Sequence, residues 1–439
     1  MLKRIFSAFL IICLLFIPNL TANAYEPTAT GIEITANAAM LVSMDTDEVL
    51  YEKNADAKVY PASITKIMTT LLILESDKYN PTGKIAMTEE ALDLISGTGS
   101  SVSLLKVGDE FTELDLLYMV LMSSYGDCSL LAAIHYGGSV DGFVEQMNTR
   151  AAELGLTNTS YQNPIGLHHE NNYTTARDTY ILTKYALQNE TFKQICETTR
   201  YTFETSKSGT RTLSTTNFLH DNTTNYYYPY AKGVKTGYTD EAGRCLVSTA
   251  SYDGYNYMCI IFGCPPKEKK HFTESADLYR WAFKNFEYKT VANTTTPVAQ
   301  IEVDLSHDID SISLYVEKSI VSILPKDADE STISIVPHLD AQKVDAPIKS
   351  GQVLGTADVV YAEKVIGTVN LIATQNVEKS PLLQTFRGAK NTLTSIYMKI
   401  IYAIIGLIVL YFIIAIIVMN VKGKKKRKVK YVPYKENKK

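Results

Sequence analysis

Residues 60–70 read Tyr60-Pro61-Ala62-Ser63-Ile64-Thr65-Lys66-Ile67-Met68-Thr69-Thr70. From Ile64 onward, apolar residues recur at the spacing of an amphipathic or buried helix: Ile64, Ile67, Met68, Leu71 and Leu72. The pattern predicts Ser63 at or just inside the helix start, with Lys66 about one turn away on the same face. Such a lysine can take the proton of the serine if burial or a like charge lowers the lysine pKa. The alternative for this stretch alone is a capping serine beside a solvated lysine.

Charge is distributed unevenly along the 439 residues, a length that suits roughly two or three domains. Residues 422–439 hold ten bases and one acid, and Lys3 and Arg4 add two bases near the start. The rest of the chain carries 31 bases against 46 acids, a net charge of −15. An acidic body of this kind argues against nucleic acid as a partner.

Both ends of the chain have the composition of membrane-directed segments. Met1–Ala24 has a charged start, an apolar run and a small-x-small cleavage site, which predicts a removable signal peptide. Ile400–Val421 contains 22 residues without charge, which as a helix span about 33 Å and can cross a bilayer core of about 30 Å. The basic tail, residues 422–439, follows at once, so the tail is expected in the cytoplasm and the preceding chain outside. Residues 376–399 are a juxtamembrane segment.

The six cysteines are Cys13, Cys128, Cys196, Cys245, Cys259 and Cys264. Cys13 falls in the segment expected to be removed, and the spacing of the remaining five matches no zinc pattern. A domain of this size needs no disulfide for stability, so buried free thiols are expected. A disulfide between Cys259 and Cys264 stays open as the alternative.

Residues 25–288 are predicted to form a mixed α+β domain around an antiparallel sheet. Strands are expected at Ala38–Met44, Glu48–Glu52, Lys232–Gly237, Gly243–Ala250 and Tyr255–Phe262. Helices are expected at the Ser63 stretch, after the capping pair Thr112 and Asp115, around Val140–Leu154 and at Phe272–Phe283. Gly126 is expected to end the second of these helices or turn the chain.

A linker, Asn293–Pro297, precedes a region of short strands, which predicts a small all-β domain over residues 298–375. The predicted strands are Val298–Val303, Ser311–Val316, Ile320–Leu324, Ile333–Val336 and Lys364–Ile372. This region contains no cluster of residues with catalytic character.

Two stretches of the first domain can supply partners for Ser63. Ser124-Tyr125-Gly126 lies between predicted helices, and Lys235-Thr236-Gly237 enters a predicted strand. Ser-x-x-Lys, Ser-x-Asn and Lys-Thr-Gly in this order are the signature of penicillin-recognising acyl-serine enzymes. The order holds here, with Gly126 at the position where Asn is usual.

The amino-acid sequences of four blocks strongly resemble those of the low-molecular-mass penicillin-binding proteins that are serine-type D-alanyl-D-alanine carboxypeptidases. These blocks are Pro61–Thr69, Asn163–His168, Tyr173–Asp178 and Gly233–Gly243. The resemblance covers roughly residues 36–286, and more weakly the β-rich region to about residue 375. It implies a β-lactamase/transpeptidase-like catalytic domain, a small all-β domain and a C-terminal membrane attachment. The protein is therefore expected at the cell membrane, crossing it once.

The resemblance also implies a reaction and assigns roles to the matching residues. Ser63 would attack the penultimate D-alanine carbonyl of a peptidoglycan stem pentapeptide, with Lys66 as general base. Ser124 would pass the proton to the leaving D-alanine, and backbone N–H groups of Ser63 and Tyr238 would form the oxyanion hole. Water would hydrolyse the acyl-serine, and β-lactams would acylate the same residue. No metal or cofactor is implied, and the adjacent His168 and His169 are expected to serve structure.

The substrate is expected to bind beside Lys235-Thr236-Gly237. By the resemblance, Lys235 and Thr236 hold its terminal carboxylate, and Lys235 also helps to keep Lys66 neutral. Further residues expected around the substrate are Gly237, Tyr238, Arg244 and Gly126.

The chain departs from the family pattern at two places. Gly126 lacks the amide side chain that would contact the substrate peptide group and Lys66. His271 stands where the family often has Arg, and Arg244 stands where it often has Tyr. We expect His271 to be partly charged near neutral pH and Arg244 to supply the lasting positive charge near the substrate carboxylate.

Three other functions stay open at this point. A β-lactamase or a peptidoglycan endopeptidase could use the same scaffold, although the β-rich domain and apolar helix favour a cell-wall enzyme. A non-catalytic wall-binding scaffold is the third, against which the intact Ser63, Lys66, Ser124 and Lys235 argue.

Overall fold

The computed structural model describes residues 31–423. The predicted signal peptide, Met1–Ala24, and residues 424–439 of the predicted basic tail lie outside the described residues. The chain divides into two compact units. The first comprises the residues up to Ala292 together with Ile320–Ser334 and Val359–Gly367, and the second comprises Asn293–Ser319, Ile335–Asp358 and the residues from Thr368 onward.

Helices of the described chain, in order, are α1 (Lys66–Glu75), α2 (Glu89–Ile95), α3 (Glu113–Leu121), α4 (Gly126–Gly137), α5 (Val140–Glu153), α6 (Ala176–Ala186), α7 (Glu190–Glu197), α8 (Lys270–Asn285) and α9 (Pro381–Gly423). Short 3₁₀ helices cover Ala62–Thr65 and Glu330–Thr332. Strands are β1 (Ala38–Ser43), β2 (Val49–Lys53), β3 (Lys84–Ala86), β4 (Glu110–Thr112), β5 (Arg200–Thr205), β6 (Gly209–Ser214), β7 (Ala231–Thr239), β8 (Gly243–Tyr252), β9 (Tyr255–Cys264), β10 (Phe286–Ala292), β11 (Ala299–Asp304), β12 (Ser311–Val316), β13 (Ile320–Pro325), β14 (Ile333–Leu339), β15 (Lys343–Asp345), β16 (Val353–Tyr361) and β17 (Lys364–Ala373).

The main sheet of the first unit has five strands in the order β2-β1-β9-β8-β7. Every neighbouring pair is antiparallel, as the sequence predicts. The tight connection between β7 and β8 places Lys235 opposite Val247 and Tyr238 opposite Arg244. Since β7 is an edge strand of this sheet, the Lys-Thr-Gly segment can face another element or a ligand on its free side.

The sheet separates two apolar cores because successive strand side chains point to opposite faces. Along β1, Met40 and Val42 belong to the core shared with helices α1 and α3. Ala39 and Leu41 belong to the core shared with α8 on the other face. Met40 and Leu41 are at most 1% exposed, and burial of such a side chain contributes about 1.5–3 kcal/mol.

The first unit also contains elements that periodicity alone did not predict. Strand β10 directly follows α8 and pairs antiparallel with β13, which lies in the first unit.

The capping box of Thr112 and Asp115 is confirmed, with each side chain bonding the backbone N–H of the other residue. The prediction that Gly126 ends this helix is wrong, because α3 ends at Leu121 and Gly126 begins α4.

A six-stranded sheet, in the order β14-β16-β17-β12-β11-β15, lies largely in the second unit. Strand β12 has the predicted bounds, and β16 is a strand that the sequence analysis did not identify. Buried and half-buried positions alternate along β12, with Ile312, Leu314 and Val316 inside. This alternation is typical of a strand with one face on a core.

Helix α9 continues for 43 residues, about 65 Å, and includes residues 381–399 of the juxtamembrane segment and the predicted membrane span. It is the one helix of the described residues that is long and apolar enough to cross a membrane by length and composition. Apolar side chains along it are exposed, among them Leu407, Tyr411 and Phe412.

All five cysteines of the described chain are buried free thiols, as expected from the sequence. Cys259 and Cys264, for which a disulfide was the alternative, are both unbridged. Burial raises the pKa of Cys259 to about 12 and that of Cys245 to about 12. These thiols are therefore protonated at neutral pH and poorly reactive.

Candidate active site

Ser63 lies in a tight turn in front of helix α1. Ala62 and Ser63 open the 3₁₀ helix, and the α-helix starts at Lys66. Ala62 has a positive φ of 45° and is buried, a backbone conformation that costs energy in a residue with a Cβ. Burial of Ile64, Ile67 and Met68 fixes the helix against the core, so the side chain of Ser63 points away from it. The predicted position of Ser63 at the helix start is thereby supported, with a 3₁₀ turn as its first turn.

Lys66 contacts Ser63 directly. Its Nζ lies 3.0 Å from Oγ of Ser63 and 2.6 Å from the carbonyl oxygen of Ile165. Lys66 is 1% exposed, and this burial lowers the pKa of its ammonium from 10.5 to about 7, although the nearby Asp127 acts in the opposite direction. A substantial fraction of Lys66 is therefore neutral at neutral pH, which is the form that can accept the serine proton.

The carbonyl that binds Lys66 belongs to the turn Asn163–Gly166, which is part of the block Asn163–His168. Oδ1 of Asn163 accepts hydrogen bonds from the backbone N–H groups of Gly166 at 2.7 Å and Leu167 at 2.9 Å. The hydroxyl of Thr69 donates to the Pro164 carbonyl at 2.7 Å, which ties the turn to α1. Sequence analysis included these residues in a family block but missed the contact with Lys66, because it joins residues 99 positions apart.

Gly166 shows why this turn needs glycine. Its φ is +83°, and a Cβ at this position would come within 1.8 Å of the Ala62 carbonyl oxygen. No side chain can be accommodated at that distance, so the turn and the Ser63 segment can pack only with glycine here.

Gly237 makes a similar close approach from strand β7. A Cβ there would lie 3.1 Å from the backbone nitrogen of Ser63 and 3.1 Å from the Pro61 carbonyl oxygen. The glycine of Lys-Thr-Gly thus keeps the space beside the Ser63 N–H open. A carbonyl oxygen placed there could receive hydrogen bonds from backbone N–H groups, as in an oxyanion hole.

Lys235 and Thr236 point to different surroundings, as neighbours on a strand do. Thr236 lines the cleft and its hydroxyl donates to Oγ1 of Thr216 at 2.6 Å. Lys235 is 1% exposed and its Nζ donates to the Thr236 carbonyl at 3.0 Å. Burial, and then the positive charge of Lys66, lower the Lys235 pKa well below its ordinary value. Burial is the largest cause of the lowered pKa of Lys66. A contribution of Lys235 to the neutral form of Lys66 stays a prediction.

Ser124 reaches the same cleft from the segment between α3 and α4. Its φ is +65°, an uncommon backbone conformation for serine. Gly126 is buried at the start of α4 and does not line the cleft. The next residue, Asp127, is fully buried, and its carboxylate accepts hydrogen bonds from the N–H of Ser103 at 2.9 Å and of Cys128 at 3.0 Å.

These segments enclose a cleft of about 800 Å³. The predicted site residues that line it are Ser63, Lys66, Ser124, Thr236, Gly237, Tyr238 and Arg244. Sequence reasoning did not place six further lining residues in the site: Thr98, Ser100, Thr216, Phe218, Lys269 and Phe272. These residues come from loops distant in sequence, and no local pattern distinguishes them.

Arg244 lines the cleft. Its Nε donates to the Pro266 carbonyl at 2.6 Å, and its guanidinium carbon lies 5.1 Å from the centre of the Tyr238 ring. One N–H group of the five is used in this bond, so others remain for a ligand.

The expectation of a partly charged His271 is wrong. The side chain is buried, and burial, together with the positive charges of Arg244 and Lys269, lowers its pKa from 6.5 to about 3. His271 is therefore neutral at physiological pH, and the positive charge on this side of the cleft comes from Arg244 and Lys269.

Both histidines of the adjacent pair contact neighbouring protein groups. No group of three or more metal-ligating side chains occurs within residues 31–423. His168 packs edge-on against Tyr60, with ring centres 4.6 Å apart, and Nδ1 of His169 accepts from the Asn171 N–H.

A serine paired with a buried, partly neutral lysine, beside a glycine-flanked space on an edge strand, is the arrangement expected in an acyl-serine hydrolase. Residues 22–265 match the D-alanyl-D-alanine carboxypeptidase family, peptidase S11, and residues 286–379 match the C-terminal domain of penicillin-binding protein 5. The chain belongs to this family of serine peptidases.

Individual relatives agree with this assignment. D-alanyl-D-alanine carboxypeptidase DacF of Bacillus subtilis is 31% identical, over 86% of this chain and 96% of its own length. The carboxypeptidase DacC of Escherichia coli is 32% identical, over 85% of this chain and 90% of its own. The structure of penicillin-binding protein 5 from Haemophilus influenzae superimposes with a TM-score of 0.64 at 28% identity, covering 80% of this chain and 100% of that one.

Proposed function

We propose that the protein removes the terminal D-alanine from peptidoglycan stem pentapeptides through an acyl-serine intermediate, and that β-lactams acylate the same serine. The observation that carries this proposal is the contact of 3.0 Å between Oγ of Ser63 and Nζ of Lys66, whose pKa burial lowers to about 7. The family assignment supplies the substrate class.

In the acylation step, Lys66 accepts the Ser63 proton as Oγ attacks the carbonyl carbon of the penultimate D-alanine. The carbonyl oxygen becomes an oxyanion and receives hydrogen bonds from the N–H groups of Ser63 and Tyr238, beside Gly237. Collapse of this intermediate breaks the peptide bond and leaves an ester on Ser63. Ser124, at the cleft wall, passes a proton to the departing amine of D-alanine.

Water then attacks the ester, Lys66 accepts its proton, and Ser63 is regenerated as the shortened peptide leaves. The peptide lies along the free side of edge strand β7, where backbone hydrogen bonds can hold it extended. Thr236 and Arg244 contact its terminal carboxylate from the cleft wall. The buried Lys235 supports Thr236 by donating a hydrogen bond to the Thr236 carbonyl at 3.0 Å.

The enzyme acts outside the cell at the membrane surface, where stem peptides occur. Its helix α9 crosses the bilayer once, and the basic residues that follow keep the C-terminus in the cytoplasm. The apolar length of this helix and the positive charge behind it support this orientation.

The deciding experiment measures D-alanine release from an N-acylated L-Lys-D-Ala-D-Ala peptide, together with covalent labelling by a fluorescent penicillin. Wild-type protein should do both, and Ser63→Ala should do neither while keeping its circular dichroism spectrum. Labelling without D-alanine release, combined with rapid turnover of the penicillin, would instead indicate a β-lactamase. Cleavage of cross-linked dimers in preference to the pentapeptide would indicate an endopeptidase, and absence of labelling a scaffold.

A further inference from the structure

Gly126 stands where the family pattern has an amide side chain, and the surrounding structure fills the space that this side chain would enter. A Cβ built on Gly126 would lie 2.7 Å from Cδ1 of Ile95 and 3.2 Å from Cβ of Ser100. The loop after α2 thus occupies the region into which a side chain at position 126 would extend. Whatever polar contact this part of the cleft makes with a substrate must come from the loop.

The loop is fixed to the start of α4. The Gly126 N–H donates to the Ser101 carbonyl at 2.8 Å. The buried carboxylate of Asp127 accepts from the Ser103 N–H at 2.9 Å and from the Ser103 hydroxyl at 2.5 Å. A guanidinium N–H of Arg211 donates to the Ser103 carbonyl at 2.5 Å. Three of these hydrogen bonds hold residues 101–103 against helix α4, and the fourth, from Arg211, ties them to strand β6. Together they set the position of the preceding residue.

That preceding residue, Ser100, lines the cleft together with Ser63, Lys66 and Ser124. It is half-buried, and its backbone N–H donates to the Thr98 hydroxyl at 3.3 Å. Within the described residues 31–423, its own hydroxyl makes no hydrogen bond. It is therefore a free donor and acceptor on the wall of the cleft that α4 supports.

We propose that the Ser100 hydroxyl hydrogen-bonds a peptide group in the acyl part of the bound substrate, in place of the amide side chain that Gly126 lacks. This inference rests on the proposed function. Ser100 is thus a substrate-binding residue of the reaction that Ser63 and Lys66 carry out. Because Gly126 has no side chain, Ile95 and Ser100 can pack against its Cα position.

The first test compares single variants for D-alanine release from N-acylated L-Lys-D-Ala-D-Ala. Ser100→Ala should lower kcat/KM about tenfold, the effect expected for one lost hydrogen bond. Ser100→Thr, which keeps the hydroxyl, should stay within about threefold of wild type. Ser96→Ala is the control, because Ser96 lies in the same loop, is exposed and does not line the cleft. Equal rates for Ser100→Ala and Ser96→Ala would overturn the proposal.

The second test restores the amide. Ile95→Val removes the Cδ1 atom that blocks position 126, so the pair Ile95→Val and Gly126→Asn should be accommodated. In that background Ser100→Ala should cost less than about twofold, because the amide supplies the contact. A tenfold loss that persists there would contradict the replacement. Stoichiometric penicillin labelling verifies that each variant is folded.

The two proposals fail in different ways. A wild-type protein that releases no D-alanine would refute the proposed function itself. An active wild type whose Ser100→Ala variant is equally active would refute only the role of Ser100.

Discussion

Gly237 of the edge strand packs directly on the nucleophile segment, since a Cβ there would approach the backbone nitrogen of Ser63 to 3.1 Å. The strand and the start of helix α1 therefore share one small space, into which the substrate carbonyl must fit. That space exists because neither segment has a side chain in it.

Gly237→Ala should consequently slow acylation about 100-fold or more, the loss typical of a disturbed oxyanion hole. The second-order rate constant for labelling by a fluorescent penicillin measures this loss. Gly254→Ala is the control, because Gly254 has a φ of +82° but no atom within 4 Å of its added Cβ. That variant should lose stability in urea unfolding and keep its acylation rate. An unchanged rate in Gly237→Ala would contradict an oxyanion hole at this position.

Acylation should depend on pH through Lys66. Its pKa is lowered by burial to about 7, so the neutral amine becomes the major form as pH rises through that value. The acylation rate should therefore increase with pH below about 7 and level off above it. Stopped-flow labelling between pH 5 and 9 measures the profile, and Lys66→Arg, which stays protonated, should be inactive throughout. A rate that falls between pH 6 and 8 would be inconsistent with Lys66 as the base.

Arg244→Ala tests recognition of the terminal carboxylate. Arg244 faces the cleft and is held by the Pro266 carbonyl at 2.6 Å, so its remaining N–H groups are positioned for an anion. The variant should lower kcat/KM for the peptide about tenfold, on the order of one charged hydrogen bond. An ester substrate without the terminal carboxylate should be affected much less.

Arg244→Lys is the matched variant, since it keeps the charge but loses the planar fork. It should fall between wild type and Arg244→Ala. Equal losses on the peptide and on the ester, or no loss on either, would rule out the carboxylate role.

Deleting residues 400–439 should release a soluble enzyme. The side chains of residues 400–420 are mostly exposed along α9, and none of them belongs to the two apolar cores of the first unit. The truncated protein should remain in the supernatant after centrifugation at high speed and release D-alanine within about twofold of the full chain in detergent. A truncated protein that folds but cannot cleave the peptide would contradict this view of α9 as an anchor.

Local sequence patterns predicted the centre of the site and little of its surroundings. The contact between Ser63 and Lys66 follows from helical spacing, and the position of Arg244 opposite Tyr238 follows from a tight hairpin. Both depend only on residues close in the chain. The burial of His271 could not be read in this way, because it depends on how α8 packs on the sheet.

Contacts between distant segments account for the other differences. The Ile165 carbonyl reaches Lys66 across 99 residues, and no periodicity encodes that distance. Gly126 was expected to end a helix because glycine weakens helices, but it begins one, since its lack of a side chain fits it against Ile95. At Gly126, tertiary packing therefore outweighs the low helix propensity of glycine.

The buried thiols have a consequence for how this chain matures. Since Cys128, Cys196, Cys245, Cys259 and Cys264 are all unbridged, residues 31–423 contain no disulfide whose formation would need an oxidant or a disulfide isomerase. The same native state is accessible in a reducing cytoplasm and on an oxidising cell surface. Each thiol becomes available to an alkylating reagent only when its part of the interior opens. The alkylation rate of each cysteine therefore measures local unfolding around it.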